Sequence, residues 1–159
     1  MDNLTPEDRR KTMRAVKGKG TKLEKRLFSM LAGMGLNGWR KNANDVIGKP
    51  DVIFMASKVA IFVDGCFWHG CPYCQRKLPE TNQIYWKRKI ARNVRLTKQH
   101  KRQLCAEGWI VLRIWEHEIN NNTLRGAIKT KIRRAIKRGT KNNEQPNQYH
   151  QAGESSSSE

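Results

Sequence analysis

A short segment rich in cysteine, GCFWHGCPYC at 65–74, has the composition of a metal site. Cys66, Cys71 and Cys74 lie within nine residues, and the last two have the CxxC spacing that lets two thiolates reach one Zn²⁺. We favour His117 as the fourth ligand, because it lies just after a predicted strand whose end could close the site. Core thiols and a redox CxxC are the alternatives to a metal site. The other possible fourth ligands are His69, His100, Cys105 and His150.

Two aspartates flank a predicted β-hairpin and could bind a second kind of metal ion. Asp51 begins the run DVIFM, and Asp64 follows the run VAIFV. If the hairpin turns about Ser57 and Lys58, the two aspartates are directly opposed, with Cβ atoms roughly 5 Å apart. Carboxylates so placed repel each other unless a cation lies between them, and their hard oxygen atoms suit Mg²⁺. His69, five residues after Asp64, could activate a water molecule there.

Three of these candidate residues also have a simpler interpretation. Glu24 could complete the acidic set, but it lies three residues after Thr21, which is the spacing of a helix capping box. Asp51 could merely begin a strand after Pro50. His69 could be the fourth zinc ligand.

Aromatic and basic side chains surround the cysteine-rich loop. Phe67 and Trp68 are adjacent, so a strand could bury only one of them; they could stack on bases or cover the zinc site. The 159 residues include 32 Lys and Arg against 14 Asp and Glu, a net charge of +18. This balance indicates a polyanionic partner, with nucleic acid as the first candidate.

The elements that must position these residues alternate between helices and strands. Apolar residues at helical spacing follow Thr21, and apolar runs of strand length mark the hairpin. The predicted helices are one beginning at Thr5, one beginning at Thr21, a long basic one over 83–107 and a last one over 123–137. The predicted strands are 36–40, 51–55, 59–63 and 109–115. This order predicts an α/β protein with a mixed central sheet flanked by helices.

We expect one compact domain over 21–138, preceded by an N-terminal arm or helix over 1–20. The polar, Ser-rich tail over 139–159 has too few apolar residues to order itself. No apolar run approaches the roughly 18 residues of a membrane span, and the N-terminus lacks an apolar signal core. A cytoplasmic protein is therefore expected, and in a reducing compartment its cysteines favour metal binding or burial over disulfides.

Five stretches together resemble the very short patch repair (Vsr) family of DNA mismatch endonucleases. They occur in family order over roughly residues 5 to 118, and their combination is specific. The stretches are RRKTMRAVKGKGTKLEKRL at 9–27, GKPDVIF at 48–54, VAIFVDGCFWHGCPYC at 59–74, YWKRKIARNV at 85–94 and GWIVLRIWE at 108–116. The resemblance implies a restriction-endonuclease-like fold with a structural zinc. It also implies an enzyme that cuts one DNA strand beside a T:G mismatch left by deamination of 5-methylcytosine.

The resemblance assigns roles to individual residues. Asp51 matches the family's metal-binding aspartate, His69 its catalytic histidine and Glu24 a glutamate at the active site. The family pattern has Thr and His where this chain has Val63 and Asp64; a metal contact through the Val63 carbonyl survives, and Asp64 could add a second carboxylate. The matches to the zinc positions are Cys66, Cys71, Cys74 and His117, and the matches to the aromatic residues that wedge into the duplex are Phe67, Trp68 and Trp86.

The sequence thus predicts a Mg²⁺-dependent, monomeric endonuclease of the bacterial nucleoid that nicks duplex DNA beside a T:G mismatch. Asp51, Asp64 and the Val63 carbonyl would hold Mg²⁺ at the scissile phosphate, and His69 would deprotonate or orient the attacking water. The residues expected to grip DNA are Arg88, Lys89 and Arg92 on the long helix and Met13 and Arg14 in the N-terminal arm. The alternatives are a nuclease with another DNA target and a non-catalytic, zinc-containing nucleic-acid-binding module.

Overall fold

A computed structural model of the protein describes residues 21–144 together with Glu7. Its four strands are β1 (Trp39–Lys41), β2 (Val52–Phe54), β3 (Val59–Asp64) and β4 (Ile110–Trp115). Its helices are α1 (Lys22–Ala32), α2 (Gln83–Ala106), α3 (Glu116–Asn120) and α4 (Arg125–Glu144), with a 3₁₀ turn at Asn122–Leu124. No helix in this part of the chain is both long enough and apolar enough to span a bilayer.

The strands form one mixed sheet in the order β1-β2-β3-β4. The first three strands pair antiparallel, and β3 and β4 pair parallel. A parallel pair needs a long crossover connection, which here contains the cysteine-rich loop and helix α2. The predicted mixed α/β architecture is confirmed at this level.

The two faces of the sheet pack against different helices, because successive strand residues point to opposite faces. One face packs against α1, α3 and α4, and the other packs against α2 and the loop that follows β1. The sheet residues buried on the first face are Val52, Phe54, Val59, Ile61, Leu112 and Ile114. The residues of the second core are Ala43, Ile53, Ala60, Phe62, Leu104 and Trp109.

The hairpin between β2 and β3 has a different register from the predicted one. The observed partners are Phe54 with Val59 and Val52 with Ile61, so Asp51 is not opposite Asp64. The turn occupies residues 55–58, and the Lys58 N–H donates to the Met55 carbonyl oxygen at 3.1 Å. The turn is thus centred earlier than predicted, and the pairing shifts by two positions.

The last helix also differs from its prediction. It was expected to end at Lys137 but continues to Glu144, so residues 139–144 are helical and do not belong to the predicted tail. The reason is tertiary packing: Gly139 is buried against the backbone of Ser57. The structure does not describe the rest of the tail or, apart from Glu7, the predicted first helix, which includes Met13 and Arg14. Helix α3 was not predicted.

Candidate active site and metal centre

A cavity of about 760 Å³ lies at the C-terminal end of β3, between the start of α1 and the middle of α2. We call it the acidic cavity, because the three carboxylates predicted to act together all line it. These residues are Glu24, Asp51 and Asp64. His69 and Arg113 line the same cavity. The structure therefore brings together the predicted acidic and histidine side chains, although the hairpin register that suggested the grouping is wrong.

Asp51 is fixed to the neighbouring strand by its side chain. Its Oδ2 accepts a hydrogen bond from the Val63 N–H at 2.7 Å. Burial raises the pKa of the Asp51 carboxyl to about 6; the Val63 hydrogen bond opposes this rise, and the Glu24 and Asp64 carboxylates add to it. A divalent cation would stabilise the ionised form of a partly buried carboxylate that has further carboxylates nearby.

Glu24 forms the predicted capping box and also lines the acidic cavity. Its backbone N–H donates to Thr21 Oγ1 at 3.2 Å, and its Oε1 accepts from the Thr21 N–H at 3.3 Å, which completes the capping box. The side chain is nevertheless buried and lies close enough to Asp51 to raise its pKa. Capping therefore fixes Glu24 in the wall of the acidic cavity.

Asp64 is paired with a residue that sequence reasoning missed. Arg113 donates from two nitrogens, Nε and one terminal NH₂ group, to the two carboxylate oxygens of Asp64. Asp64 is 2% exposed, so the pair lies at the bottom of the acidic cavity. A signal was available, because Arg113 is the one charged residue in the otherwise apolar run WIVLRIW. A charge at such a position needs a partner.

His69 has a polar neighbour on each side of its ring. Its Nδ1 is 3.3 Å from Thr97 Oγ1, and its Nε2 is 3.8 Å from Asp64 Oδ1. Burial lowers the pKa of His69, which favours the neutral imidazole that can accept a proton. Thr97 on α2 was not predicted as a site residue, and its type gives no sequence signal.

The cysteine cluster has the ligand set favoured from the sequence. The sulfur atoms of Cys66, Cys71 and Cys74 and a ring nitrogen of His117 all lie within 4.8 Å of one another. His117 Nδ1 is 3.3 Å from both Cys66 Sγ and Cys74 Sγ. His69 is not a member of this group. Cys105, which was expected to be buried, is exposed.

Four nitrogen and sulfur ligands gathered around one point fit a structural Zn²⁺. Burial raises the pKa of the Cys66 thiol to about 12. A bound divalent cation would supply the positive charge that stabilises a thiolate at this position. Glu116, beside His117, accepts a hydrogen bond from the Cys66 N–H at 2.9 Å. The cluster and this bond connect the cysteine-rich loop to the end of β4.

Four aromatic side chains pack together, and we call them the aromatic cluster: Phe67, Trp68, Tyr85 and Trp86. Phe67 and Trp68 also line the acidic cavity. The ring centroids of Trp68 and Trp86 are 5.8 Å apart, and Lys89 Nζ lies 5.1 Å from the Trp68 ring. The ring that packs beside His117 belongs to Tyr73. In the aromatic cluster Tyr85 is exposed and the other three rings are half-buried, which favours a surface for stacking over a cover for the cysteine cluster.

The basic residues predicted on the long helix extend from this aromatic cluster. Arg88 and Arg92 are exposed, and Lys89 is half-buried among the rings. The cavity thus contains carboxylates paired in part with basic side chains, and further positive charge extends outside it along α2. A surface of this kind attracts a phosphate backbone and brings it to buried carboxylates. The site therefore has the character of a protein that acts on nucleic acid.

Comparisons with known proteins agree with this class. Residues 1–76 match the family model described as DNA mismatch endonuclease Vsr. The chain is 44% identical over 138 residues to the type II nicking enzyme V.NmeDIP of Neisseria meningitidis serogroup C, covering 86% of this chain and 91% of that protein. It is 38% identical over 108 residues to the DNA mismatch endonuclease Vsr of Escherichia coli strain K12, covering 68% and 69%.

A third relative is the type II nicking enzyme V.HpaIIP of Haemophilus parainfluenzae, 39% identical over 138 residues, which are 86% of this chain and 96% of that protein. The chain belongs to the Vsr family of DNA mismatch endonucleases. The enzyme class expected from the sequence, a strand-nicking DNA endonuclease, is confirmed.

Proposed function

We propose that this endonuclease nicks one strand of duplex DNA next to a T:G mismatch and that the reaction requires Mg²⁺. The observation that carries the proposal is the partly buried Asp51 carboxylate, which lines a cavity together with His69, with basic and aromatic side chains around it. A protein that only bound DNA would gain nothing from buried carboxylates facing a phosphate. The E. coli relative is a DNA mismatch endonuclease, which supports the choice of substrate.

Asp51 and the Val63 backbone carbonyl are the groups that would hold Mg²⁺. When bound, the ion would stabilise the charge that develops on the scissile phosphate and on the leaving oxygen. Asp51, with a pKa of about 6, is mostly ionised at neutral pH and available as a ligand. Glu24 adds negative charge nearby. Asp64 was expected to be a further ligand, but Arg113 already binds both of its oxygens.

His69 would take a proton from the attacking water or orient it. The neutral ring that this needs is favoured by burial, which lowers its pKa. The contact of Nδ1 with Thr97 Oγ1 limits rotation of the ring. Nε2 lies 3.8 Å from Asp64 Oδ1, beyond hydrogen-bond distance, so its lone pair would take the proton from the water. The nearby Asp64 carboxylate would stabilise the imidazolium that forms.

The Cys66, Cys71, Cys74 and His117 cluster would hold a structural Zn²⁺. The ion would connect the loop that bears Phe67, Trp68 and His69 to α3, and so fix both the aromatic cluster and the proposed base. Because thiolate ligands assemble only in the folded chain, binding of this ion would also add to folding stability.

Duplex DNA would contact three parts of the chain. Phe67, Trp68 and Trp86 would wedge into the base stack beside the mismatch. Backbone phosphates would contact two basic segments: Arg88, Lys89 and Arg92 on α2, and the N-terminal arm with Met13 and Arg14. We expect a restriction-endonuclease-like fold and a monomer that works on the bacterial nucleoid.

A nicking assay tests this function. Fluorescently labelled matched, T:G-mismatched and branched duplexes of one length are incubated with the protein in Mg²⁺ or in excess chelator. The proposal expects one cut, in one strand of the T:G duplex, only with Mg²⁺. Preferential cutting of the branched or matched duplex would assign another DNA target, and cutting in chelator would exclude the metal requirement.

A further inference from the structure

Arg113 and Asp64 form a buried ion pair between two adjacent parallel strands. In the register of the sheet, Arg113 on β4 is the partner of Phe62 on β3. Asp64 lies two residues after Phe62 on β3. The guanidinium of Arg113 lies 5.1 Å from the centre of the Phe62 ring, and the Arg113 side chain is 18% exposed. The aromatic ring and the carboxylate together hold the guanidinium in one orientation, as the planar fork of arginine allows.

The position of this pair indicates more than packing. A buried ion pair adds little net stability over apolar residues of the same volume, so its location is informative. Here both members line the acidic cavity, and Asp64 Oδ1 lies 3.8 Å from the Nε2 atom of His69. The pair therefore contacts the residue proposed as the base of the reaction.

A guanidinium on both oxygens also opposes metal binding by Asp64. A divalent cation on either oxygen would lie within a few ångströms of the positive charge of Arg113, and like charges at that separation repel strongly in a cavity of low dielectric. Among the described residues, no guanidinium binds the oxygens of Asp51: the neutral Val63 N–H binds Oδ2, and Arg113 acts on Asp51 only through space. The two carboxylates are therefore not equivalent towards a cation.

We propose that Arg113 is a positioning residue that keeps Asp64 beside His69 and away from the divalent cation, so that Asp51 is the carboxylate ligand. This inference rests on the proposed Mg²⁺-dependent nicking activity and assigns a separate role to each of three active-site residues. Asp64 stabilises the positive charge that the imidazole gains, Arg113 orients Asp64, and Asp51 binds the ion.

The test separates metal binding from rate. Mn²⁺, which also prefers carboxylate oxygen, is titrated into the zinc-loaded protein without DNA and followed by its electron paramagnetic resonance signal. The rate of T:G nicking is then measured across a Mg²⁺ series. The variants are Asp51→Asn, Asp64→Asn and Arg113→Lys. Arg40→Lys is the matched control, because Arg40 binds Asp45 through both oxygens at 2.9 and 2.8 Å on the surface.

We expect Asp51→Asn to weaken Mn²⁺ binding at least fivefold. Asp64→Asn and Arg113→Lys should each change it less than fivefold while lowering the rate at saturating Mg²⁺ at least fivefold, because lysine keeps the charge but not the fork. Arg40→Lys should change neither quantity. A fivefold or larger loss of Mn²⁺ affinity in Asp64→Asn, or an Arg113→Lys variant with less than a fivefold loss of rate, would overturn the proposal.

Zinc content and thermal unfolding are measured for every variant to check folding. If a single variant does not fold, the double variant Asp64→Asn with Arg113→Gln keeps a neutral hydrogen-bonded pair in the same place. It should bind Mn²⁺ within fivefold of the wild type and nick at least fivefold more slowly, and either opposite result overturns the proposal. Should the wild type nick no duplex, the proposed function fails and the Mn²⁺ titration alone decides the role of Arg113; a wild type that binds no Mn²⁺ also overturns it.

Discussion

The carboxylate of Asp51 accepts a hydrogen bond from the backbone N–H of Val63 at 2.7 Å, which fixes the start of β2 against the end of β3. The bond uses Oδ2, and Asp51 lines the same cavity as Glu24 and His69. One side chain therefore connects the ends of the two strands and also supplies a possible metal ligand. Asparagine at this position can keep the hydrogen bond but not the charge, so the two roles can be separated.

The first prediction is that Asp51→Asn loses nicking and retains DNA binding. We expect the rate on a T:G duplex in Mg²⁺ to fall by about 10²-fold or more, the size of effect seen when one group that stabilises charge is removed. Affinity for the same duplex without Mg²⁺ should stay within about threefold, since the basic surface is unchanged.

Asp45→Asn is the control for that variant, because Asp45 is an exposed aspartate paired with Arg40 on the surface. It should nick at the wild-type rate. Wild-type nicking by Asp51→Asn would remove Asp51 from the metal site.

The second prediction concerns pH and stability without Mg²⁺. Burial raises the pKa of Asp51 to about 6 from an ordinary value of 3.8. The native state therefore binds this proton more tightly than the unfolded state, and the ionised form costs up to about 3 kcal/mol of unfolding free energy above pH 6. That cost disappears as the pH falls towards 4.

Asp51→Asn carries no such cost. It should be more stable than the wild type at pH 8, and the difference should vanish near pH 4. Denaturant unfolding of both proteins at several pH values measures it. A difference that stays constant with pH would show that Asp51 has an ordinary pKa.

The sequence was sufficient where local rules determine structure. Thr21 and Glu24 predict the start of α1 because a capping box involves only adjacent turns. Cys71 and Cys74 predict a metal site for a similar reason, since the CxxC spacing brings two ligands together within one turn.

The hairpin register and the Asp64–Arg113 pair could not be predicted in the same way. Apolar runs locate β2 and β3 but do not determine how many residues form the turn. A shift of the register by two positions keeps every side chain on the same face of the sheet, so the apolar pattern cannot distinguish the two registers. Asp64 and Arg113 are 49 residues apart in sequence. They meet only because the crossover through α2 returns β4 parallel to β3.

The third prediction is one Zn²⁺ per chain. Cys74→Ser and His117→Ala should each release the ion and lower the thermal unfolding temperature, because each removes one of four ligands that link two segments. Cys105→Ser is the matched control, since Cys105 is exposed and outside the cluster. Metal analysis of freshly purified protein measures zinc content. A His117→Ala variant that keeps its zinc would contradict this ligand set.

The fourth prediction uses two glycines of α4. A Cβ at Gly139 would lie 1.9 Å from the Ser57 carbonyl oxygen, whereas a Cβ at Gly126 meets no atom within 4 Å. Gly139→Ala should therefore destabilise the fold by about 1–3 kcal/mol through overpacking. Gly126→Ala should stabilise it by up to about 1 kcal/mol, because alanine is the better helix former. Denaturant unfolding distinguishes them, and an equally stable Gly139→Ala would mean that α4 does not pack on the hairpin turn.

The last prediction concerns how a mismatch is selected. A T:G pair stacks less well than a Watson–Crick pair, so opening the adjacent step costs less, and an inserted ring recovers stacking on both exposed faces. Unstacking costs a few kcal/mol per step, so a saving of ~1.4 kcal/mol at the mismatch gives about tenfold preference. Trp68, whose ring lies 5.3 Å from Phe67 and 5.8 Å from Trp86, is the tryptophan of the aromatic cluster that lines the acidic cavity.

Trp68→Ala should therefore reduce the preference for T:G over T:A duplexes by about tenfold, with a smaller loss of affinity for both. Replacing Arg88 and Arg92 by glutamine should do the opposite: binding to both duplexes weakens, and the salt dependence of affinity becomes shallower because fewer phosphate contacts release counterions. Binding and nicking of the two duplexes across a salt series measure both effects. If Trp68→Ala keeps its full preference, its ring only packs on the loop, and the same measurement on Phe67→Ala and Trp86→Ala identifies the wedge.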